Sequence, residues 1–133
     1  MKRTLFVFVC AVSIPVMAAT YPTQSEFYAD AENAQKFASA KNTGQLAKQS
    51  EMYSIGCMQG AKTDADKKLC ACAAEFVKTV PEKEMFYESY MAYTIFQDMV
   101  AAKREGNAEK YEALKRMSRE RNGLEKRITA SCG

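Results

Sequence analysis

Apolar side chains recur at steps of three and four residues along most of the chain, which is the period of a helix that buries one face. The clearest run consists of Ala65, Leu69, Cys72, Phe76 and Val80. The period-two alternation that is typical of strands never extends beyond about four residues. We therefore expect five helices, over residues 25–41, 44–60, 64–79, 81–104 and 108–129.

Residue types that start and stop helices support these limits. Thr63 followed by Asp66 forms a capping box before the third helix, and Pro81 fits the first turn of the fourth. Gly106 ends the fourth helix, and Gly123 is expected to weaken or kink the fifth. Because the connections are short, successive helices should pack antiparallel. The predicted fold class is all-α, a small bundle of four to five antiparallel helices.

The first residues have the pattern of a secretory signal peptide. Lys2 and Arg3 precede an apolar run over residues 5–16, and small residues follow, so that cleavage after Ala18 or Ala19 fits equally well. The run is too short to cross a hydrocarbon core of about 30 Å. We therefore divide the chain into a signal peptide, residues 1–18, and a single helical domain, residues 19–133. The expected location is periplasmic or secreted, and the short basic start favours a bacterial source.

An even number of cysteines follows the predicted signal peptide, because Cys10 lies inside it. In an exported protein an even set favours disulfides over free thiols. The four candidates are Cys57, Cys70, Cys72 and Cys132.

The helix period also predicts how these cysteines pair. Cys70 and Cys72 are separated by about 200° around one helix, so they should not bond to each other. With a turn near residues 61–63, Cys57 lies closer in level to Cys70 than to Cys72. The preferred pairs are Cys57–Cys70 and Cys72–Cys132, which give a disulfide-stapled bundle. The alternative is a thiol-redox or copper-handling protein that uses Cys70 and Cys72.

The composition excludes several enzyme classes. The 133 residues include no histidine, so Ser-His-Asp and Cys-His nucleophiles and His-ligated zinc sites are absent. No glycine-rich phosphate loop or nucleophile elbow is present. We therefore expect no catalytic residue, metal or cofactor. A small carboxylate-based hydrolase remains an alternative, because two pairs of acidic residues are present. Both pairs are typical of the charges found at the start of helices. These pairs are Asp64 with Asp66 and Glu82 with Glu84.

The fourth and fifth predicted helices contain the candidate binding residues. The fourth helix has methionines and aromatic rings on all of its sides. This pattern predicts either a central core helix or a groove for a partner. The fifth helix has a basic stripe opposite its apolar face, and residues 101–133 carry nine basic and five acidic side chains, a net charge of +4. The candidate partner-binding residues are Tyr87, Tyr90, Met91, Tyr93, Lys115, Arg116 and Arg119.

One cation falls within an apolar face and needs a partner. Arg121 lies among the apolar positions of the fifth helix, where an unpaired charge would be costly. Glu88 has similarly apolar neighbours on the fourth helix and is the candidate carboxylate. We therefore expect an ion pair between these two helices.

These features predict a non-enzymatic exported protein that acts by binding another exported or envelope protein. Inhibitor, immunity-like, adaptor and chaperone-like roles all fit. Without the signal peptide the chain has 17 basic and 16 acidic residues, so a nucleic-acid partner is not expected. The basic stripe also offers contact with a membrane surface, and a homo-oligomer is compatible with the pattern.

Overall fold

The computed structural model describes residues 20–133, so the predicted signal peptide and Cys10 lie outside the described residues. Residues 20–133 form helices and no strands, which confirms the all-α prediction. The number of helices is seven rather than four to five, because two of the predicted helices are each divided. The helices are α1 (Gln24–Ala29), α2 (Ala31–Asn42), α3 (Gln45–Gly60), α4 (Asp64–Thr79), α5 (Glu82–Arg104), α6 (Ala108–Glu120) and α7 (Leu124–Cys132).

The first division, between α1 and α2, is caused by a local cap. The helix predicted over residues 25–41 breaks at Asp30, whose backbone is extended with φ −77° and ψ 125°. The Asp30 carboxylate accepts a hydrogen bond from the Asn33 N–H at 3.0 Å. An aspartate that satisfies a free N–H in this way favours a new helix start over continuation of the old one.

The second division, between α6 and α7, depends on a distant carboxylate. The chain is extended at Arg121 and at Gly123, so the expected weak point is a complete break. Gly123 has no side chain with which to cap α7. The Leu124 N–H instead donates to Glu88 Oε2 at 3.2 Å. A glutamate of α5 thus satisfies one of the free N–H groups that begin α7.

The middle of the chain follows the predicted limits closely. Helix α4 begins at the capping box, where Thr63 Oγ1 accepts from the Asp66 N–H and Asp66 Oδ2 accepts from the Thr63 N–H. The backbone hydrogen bond from Thr63 lowers the pKa of Asp66. Gly44 before α3 and Gly106 after α5 have φ of 71° and 68°, a left-handed conformation that glycine adopts without strain.

Two disulfides connect α4 to helices on either side of it. Cys57 of α3 is bonded to Cys70, with a Cα–Cα distance of 5.5 Å. Cys72 is bonded to Cys132 of α7, with a Cα–Cα distance of 5.8 Å. These are the two pairs that the sequence favours. Since Cys70 and Cys72 point to different sides of α4, the helix is fixed between α3 and α7.

The interior has an aliphatic part and an aromatic part. The aliphatic part joins α4, the start of α5 and α7, through Ala73, Val77, Met85, Leu124 and Ile128. The aromatic part is centred on Phe27 of α1, which packs its ring against rings of α5. Helix α5 contributes to both parts and is the central helix. None of the helices between residues 20 and 133 combines the length and apolar content needed to cross a bilayer.

The two disulfides should differ in their effect on stability. The Cys72–Cys132 bond closes a sequence separation of 60 residues and the Cys57–Cys70 bond one of 13. Chain-entropy estimates therefore predict a loss of about 4 kcal/mol for Cys72→Ser with Cys132→Ser, and about 3 kcal/mol for the other pair of substitutions. Urea unfolding with circular dichroism measures both. A double variant with the wild-type midpoint would contradict the prediction for its bond.

Alkaline pH should destabilise the fold through Tyr28. Burial raises the pKa of Tyr28 from 10.0 to about 12, and its hydroxyl donates to the Lys83 carbonyl at 2.6 Å. The unfolded chain therefore loses this proton first, and stability should fall as the pH rises from 10 towards 12. Tyr28→Phe should reduce that slope in denaturant titrations at each pH.

Neutral pH provides the internal control for this variant. From about pH 7 to 9 the wild type and Tyr28→Phe should differ by a constant amount of about 1 kcal/mol, the lost hydrogen bond to Lys83. A variant that retains the full alkaline slope would contradict the assignment to Tyr28.

Candidate functional site

A groove of about 790 Å³ lies between α3, α5 and the junction of α6 with α7. Helix α5 contributes Ser89, Ala92 and Ile95 to its wall, and α7 contributes Leu124 and Ala130 opposite them. Most of its exposed lining surface is apolar, and five of the 16 lining residues are charged: Glu88, Arg119, Arg121, Glu125 and Lys126. A concave apolar surface with a small number of polar groups is the usual form of a binding site.

An ion pair lies in the deeper part of the groove. Arg121 Nη2 is 3.0 Å from Glu88 Oε1, and the two side chains are only 23% and 13% exposed. This is the pair predicted from the sequence. The second carboxylate oxygen accepts the Leu124 N–H, so both oxygens of Glu88 are used. The Arg121 guanidinium also lies 5.4 Å from the centre of the Tyr87 ring, a cation–π distance.

Gly123 allows this carboxylate to approach the chain. A Cβ atom at Gly123 would lie 3.0 Å from Glu88 Oε2. The φ of Gly123 is −78°, which any residue adopts, so a side chain here would be opposed by the close Glu88 carboxylate and not by the backbone. A second ion pair between α5 and α7, Glu84 with Arg127, supports the same arrangement.

The edges of the groove carry two cations and a tyrosine. Arg119 of α6 and Lys126 of α7 line the groove, and neither has a carboxylate within 4.0 Å among residues 20–133. Tyr53 of α3 closes the opposite side. Burial, with a smaller contribution from the charge of Glu125, raises the pKa of Tyr53. Glu125 of α7 also lines the groove, so the groove carries a carboxylate beside these two cations.

Three of the predicted partner-binding residues make contacts within the fold. Met91 is 2% exposed, so it offers no surface to a partner. The Tyr87 hydroxyl donates to the Pro22 carbonyl at 2.8 Å, and the Tyr90 ring packs 5.0 Å from Phe27. The Tyr87 hydroxyl therefore has its hydrogen-bond partner within the fold.

The other four predicted residues are distributed over the surface. Tyr93 is 64% exposed, and Arg119 lines the groove. Arg116 is exposed outside the groove. Lys115 lies 3.6 Å from Glu112 and stacks over a tyrosine of the same helix, so it is engaged locally.

Several groove residues were not predicted from the sequence. Phe96 is not part of the lining, but it is 58% exposed and follows the lining residue Ala92 by one helical turn on α5. Ser89, Ala92 and Leu124 were missed because small or ordinary apolar residues carry no chemical signal. Their role arises only when α7 turns back towards α5.

The geometry gives little support to the thiol-redox, copper-handling and carboxylate-hydrolase alternatives. Cys70 and Cys72 are bonded to different partners, so they do not form a free dithiol. Between residues 20 and 133 no group of three or more Cys, Asp or Glu side chains is placed to hold a metal ion. The acidic helix-start residues have partners of their own. Asp64 pairs with Lys67, Asp66 caps α4, Glu82 pairs with Lys41 and Glu84 pairs with Arg127.

Comparison of the chain with protein-family models, with curated proteins and with solved structures found no match in any of the three.

Loss of the buried cation should destabilise the fold. Arg121→Met leaves the Glu88 carboxylate with one hydrogen bond and no countercharge, so we expect a loss of about 2 kcal/mol in urea unfolding. Arg119→Met is the matched control, because it removes an unpaired arginine from the edge of the same groove, and its effect should stay within about 0.5 kcal/mol. Equal effects of the two variants would contradict a structural role for the Glu88–Arg121 pair.

Proposed function

We propose that this protein is an exported, non-enzymatic binding protein that holds an apolar, acidic segment of another exported or envelope protein in the groove. The observation that carries the proposal is the combination of a groove whose surface is mostly apolar with two cations, Arg119 and Lys126, that have no ion-pair partner among residues 20–133 and outnumber the unpaired carboxylate of Glu125. Inhibitor, immunity-like, adaptor and chaperone-like roles would all use such a site.

The apolar lining supports a partner with apolar side chains. Ala92, Ile95 and Leu124 provide the wall, and the exposed rings of Tyr93 and Phe96 continue from it along α5. Aromatic residues are enriched in protein interfaces because they bury a large area with few rotatable bonds. An extended line of small and aromatic groups fits a helix or strand of a partner better than a compact small molecule.

The charges support an acidic character for that partner. Arg119 and Lys126 are free to pair with a carboxylate, whereas Arg121 is already neutralised by Glu88. Cations at the edge of an apolar site chiefly determine orientation and the rate of association. A glutamate or aspartate next to the apolar side chains of the partner would meet them.

The covalent framework supports export. Two disulfides in a domain of this size are typical of proteins that fold in an oxidising compartment. The signal-peptide pattern of residues 1–18 agrees with this. A periplasmic or secreted partner is therefore proposed in preference to a cytoplasmic one.

A synthetic amphipathic peptide tests the groove directly. The peptide carries leucines on one face, glutamates on the other and one tryptophan, and the protein itself contains no tryptophan, so fluorescence reports the peptide alone. We expect binding to the wild type and weaker binding of a peptide with lysines in place of the glutamates. Arg119→Glu with Lys126→Glu should raise the dissociation constant of the acidic peptide about tenfold.

A matched double variant separates the groove from general charge effects. Lys103→Glu with Lys110→Glu makes the same change of charge on α5 and α6 outside the groove, and it should leave the affinity within about twofold. Ala92→Phe, which fills the apolar wall, should abolish binding while the circular dichroism spectrum is retained. No binding of the acidic peptide, or equal loss in the two charge variants, would overturn the proposal.

A further inference from the structure

The junction of α6 and α7 contains an asparagine that is followed directly by a glycine. Asn122 and Gly123 both lie outside the helices, on the short segment between Glu120 and Leu124. Asparagine is among the thermolabile residues, because the nitrogen of the next peptide group can attack its carboxamide. A glycine at the next position leaves that nitrogen unshielded, because glycine has no Cβ atom. The sequence pair therefore combines the reacting group with the neighbour that hinders it least.

The fold leaves both reacting groups accessible. Asn122 is exposed and its side chain forms no hydrogen bond with residues 20–133, and the Gly123 N–H donates none within the same residues. In a continuous helix that N–H would be bonded to a carbonyl four residues earlier, which would hold the nitrogen in place. The break between α6 and α7 therefore releases the one backbone nitrogen that an attack on Asn122 needs.

The other three asparagines of the chain lie in different surroundings. Asn33 and Asn42 belong to α2, and Asn107 caps α6. Each is followed by a residue that has a Cβ atom. The N–H group that follows each of them is also bonded to a backbone carbonyl: Ala34 to Asp30, Thr43 to Ser39 and Ala108 to Gly106. Among the asparagines of residues 20–133, Asn122 alone precedes a backbone nitrogen that is both unshielded and without a hydrogen bond.

We propose that Asn122 is a site of spontaneous deamidation. The Gly123 nitrogen loses its proton and bonds to Cγ of Asn122, and ammonia leaves from Cγ with that proton, which closes a succinimide ring. One water molecule then opens the ring. Cleavage of the bond between the nitrogen and Cγ gives aspartate, whereas cleavage of the bond between the nitrogen and the backbone carbonyl carbon gives isoaspartate, in which the chain continues through Cγ. Water is consumed, ammonia is released, and no electrons are transferred.

The isoaspartate product changes the constraint that begins α7. Arg121 and Leu124 each bind one oxygen of the Glu88 carboxylate, at 3.0 and 3.2 Å. The link through Asn122 and Gly123 spans the distance between these two contacts, and isoaspartate lengthens it by one carbon atom. A Cβ position at Gly123 already lies 3.0 Å from Glu88 Oε2, so the longer link has no spare room there. Deamidation to isoaspartate therefore removes the cap of α7, and this does not rest on the proposed function.

Ageing of the full chain with both disulfides intact tests the site. After incubation at mildly alkaline pH the protein is cleaved after glutamate, and chromatography with mass spectrometry measures aspartate and isoaspartate at each asparagine. Asn122 should react at least about tenfold faster than any of the other three asparagines. Its rate should also lie within about tenfold of the rate in a synthetic peptide of residues 119–127, because the folded chain leaves the segment open. A rate below either limit would overturn the proposal.

Urea unfolding of the aged protein tests the effect on α7. The isoaspartate form, separated by chromatography, should have an unfolding equilibrium constant about tenfold above that of the fresh wild type, as for other lost caps. Asn122→Asp carries the same charge without the longer backbone, so its constant should stay within about twofold of the fresh wild type.

A second variant separates this residue from general ageing. Asn122→Gln would have to close a larger ring, so it should retain both its mass and its stability through the same incubation. An isoaspartate form as stable as Asn122→Asp would overturn the effect on α7. A loss of stability in aged Asn122→Gln equal to that of the aged wild type would overturn the assignment to Asn122.

Discussion

The constraint on which the rest of the structure depends is the placement of Cys70 and Cys72 on opposite sides of α4. One residue between them turns the second side chain by about 200°, so the two disulfides fix α3 on one side and α7 on the other. Without that connection α7 would be a helix of nine residues, too short to be stable alone. Helix α7 contributes Leu124 and Ile128 to the aliphatic interior and forms one wall of the groove, so both depend on the covalent link.

Glu88 holds the start of α7 against α5, in addition to the disulfide that links α7 to α4. Its carboxylate pairs with Arg121 and accepts the first N–H of α7, so one side chain both neutralises a cation and starts a helix. One interaction therefore accounts for the break between α6 and α7, the start of α7 and the charged part of the groove. The Glu84–Arg127 pair adds a second connection one turn earlier on α5.

Local signals predicted the middle of the fold well. The capping box at Thr63 and the glycine at position 106 act within a few residues, and α4 has the expected limits. The division at Asp30 was not predicted, because it depends on competition between a side-chain cap and helix continuation. At Gly123 a weak point was predicted but not the complete break, which depends on Glu88, 36 residues from Leu124. The ion pair of Arg121 could be predicted because a cation in an apolar face needs a carboxylate. The outward face of α5 could not be predicted, because α5 has apolar residues on all of its sides. Helix α1 determines which of these sides is covered.

The unequal spans of the two disulfides impose an order on assembly. In a chain made from its N-terminus, Cys57, Cys70 and Cys72 all appear long before Cys132. The short loop between Cys57 and Cys70 closes faster than one of 60 residues. The first oxidised species therefore has a free thiol at Cys72, on an exposed side of α4, and a second at Cys132 once that residue has been made. Until α7 docks, the Cys72 thiol is open to exchange with other chains, and a disulfide isomerase would have its substrate there.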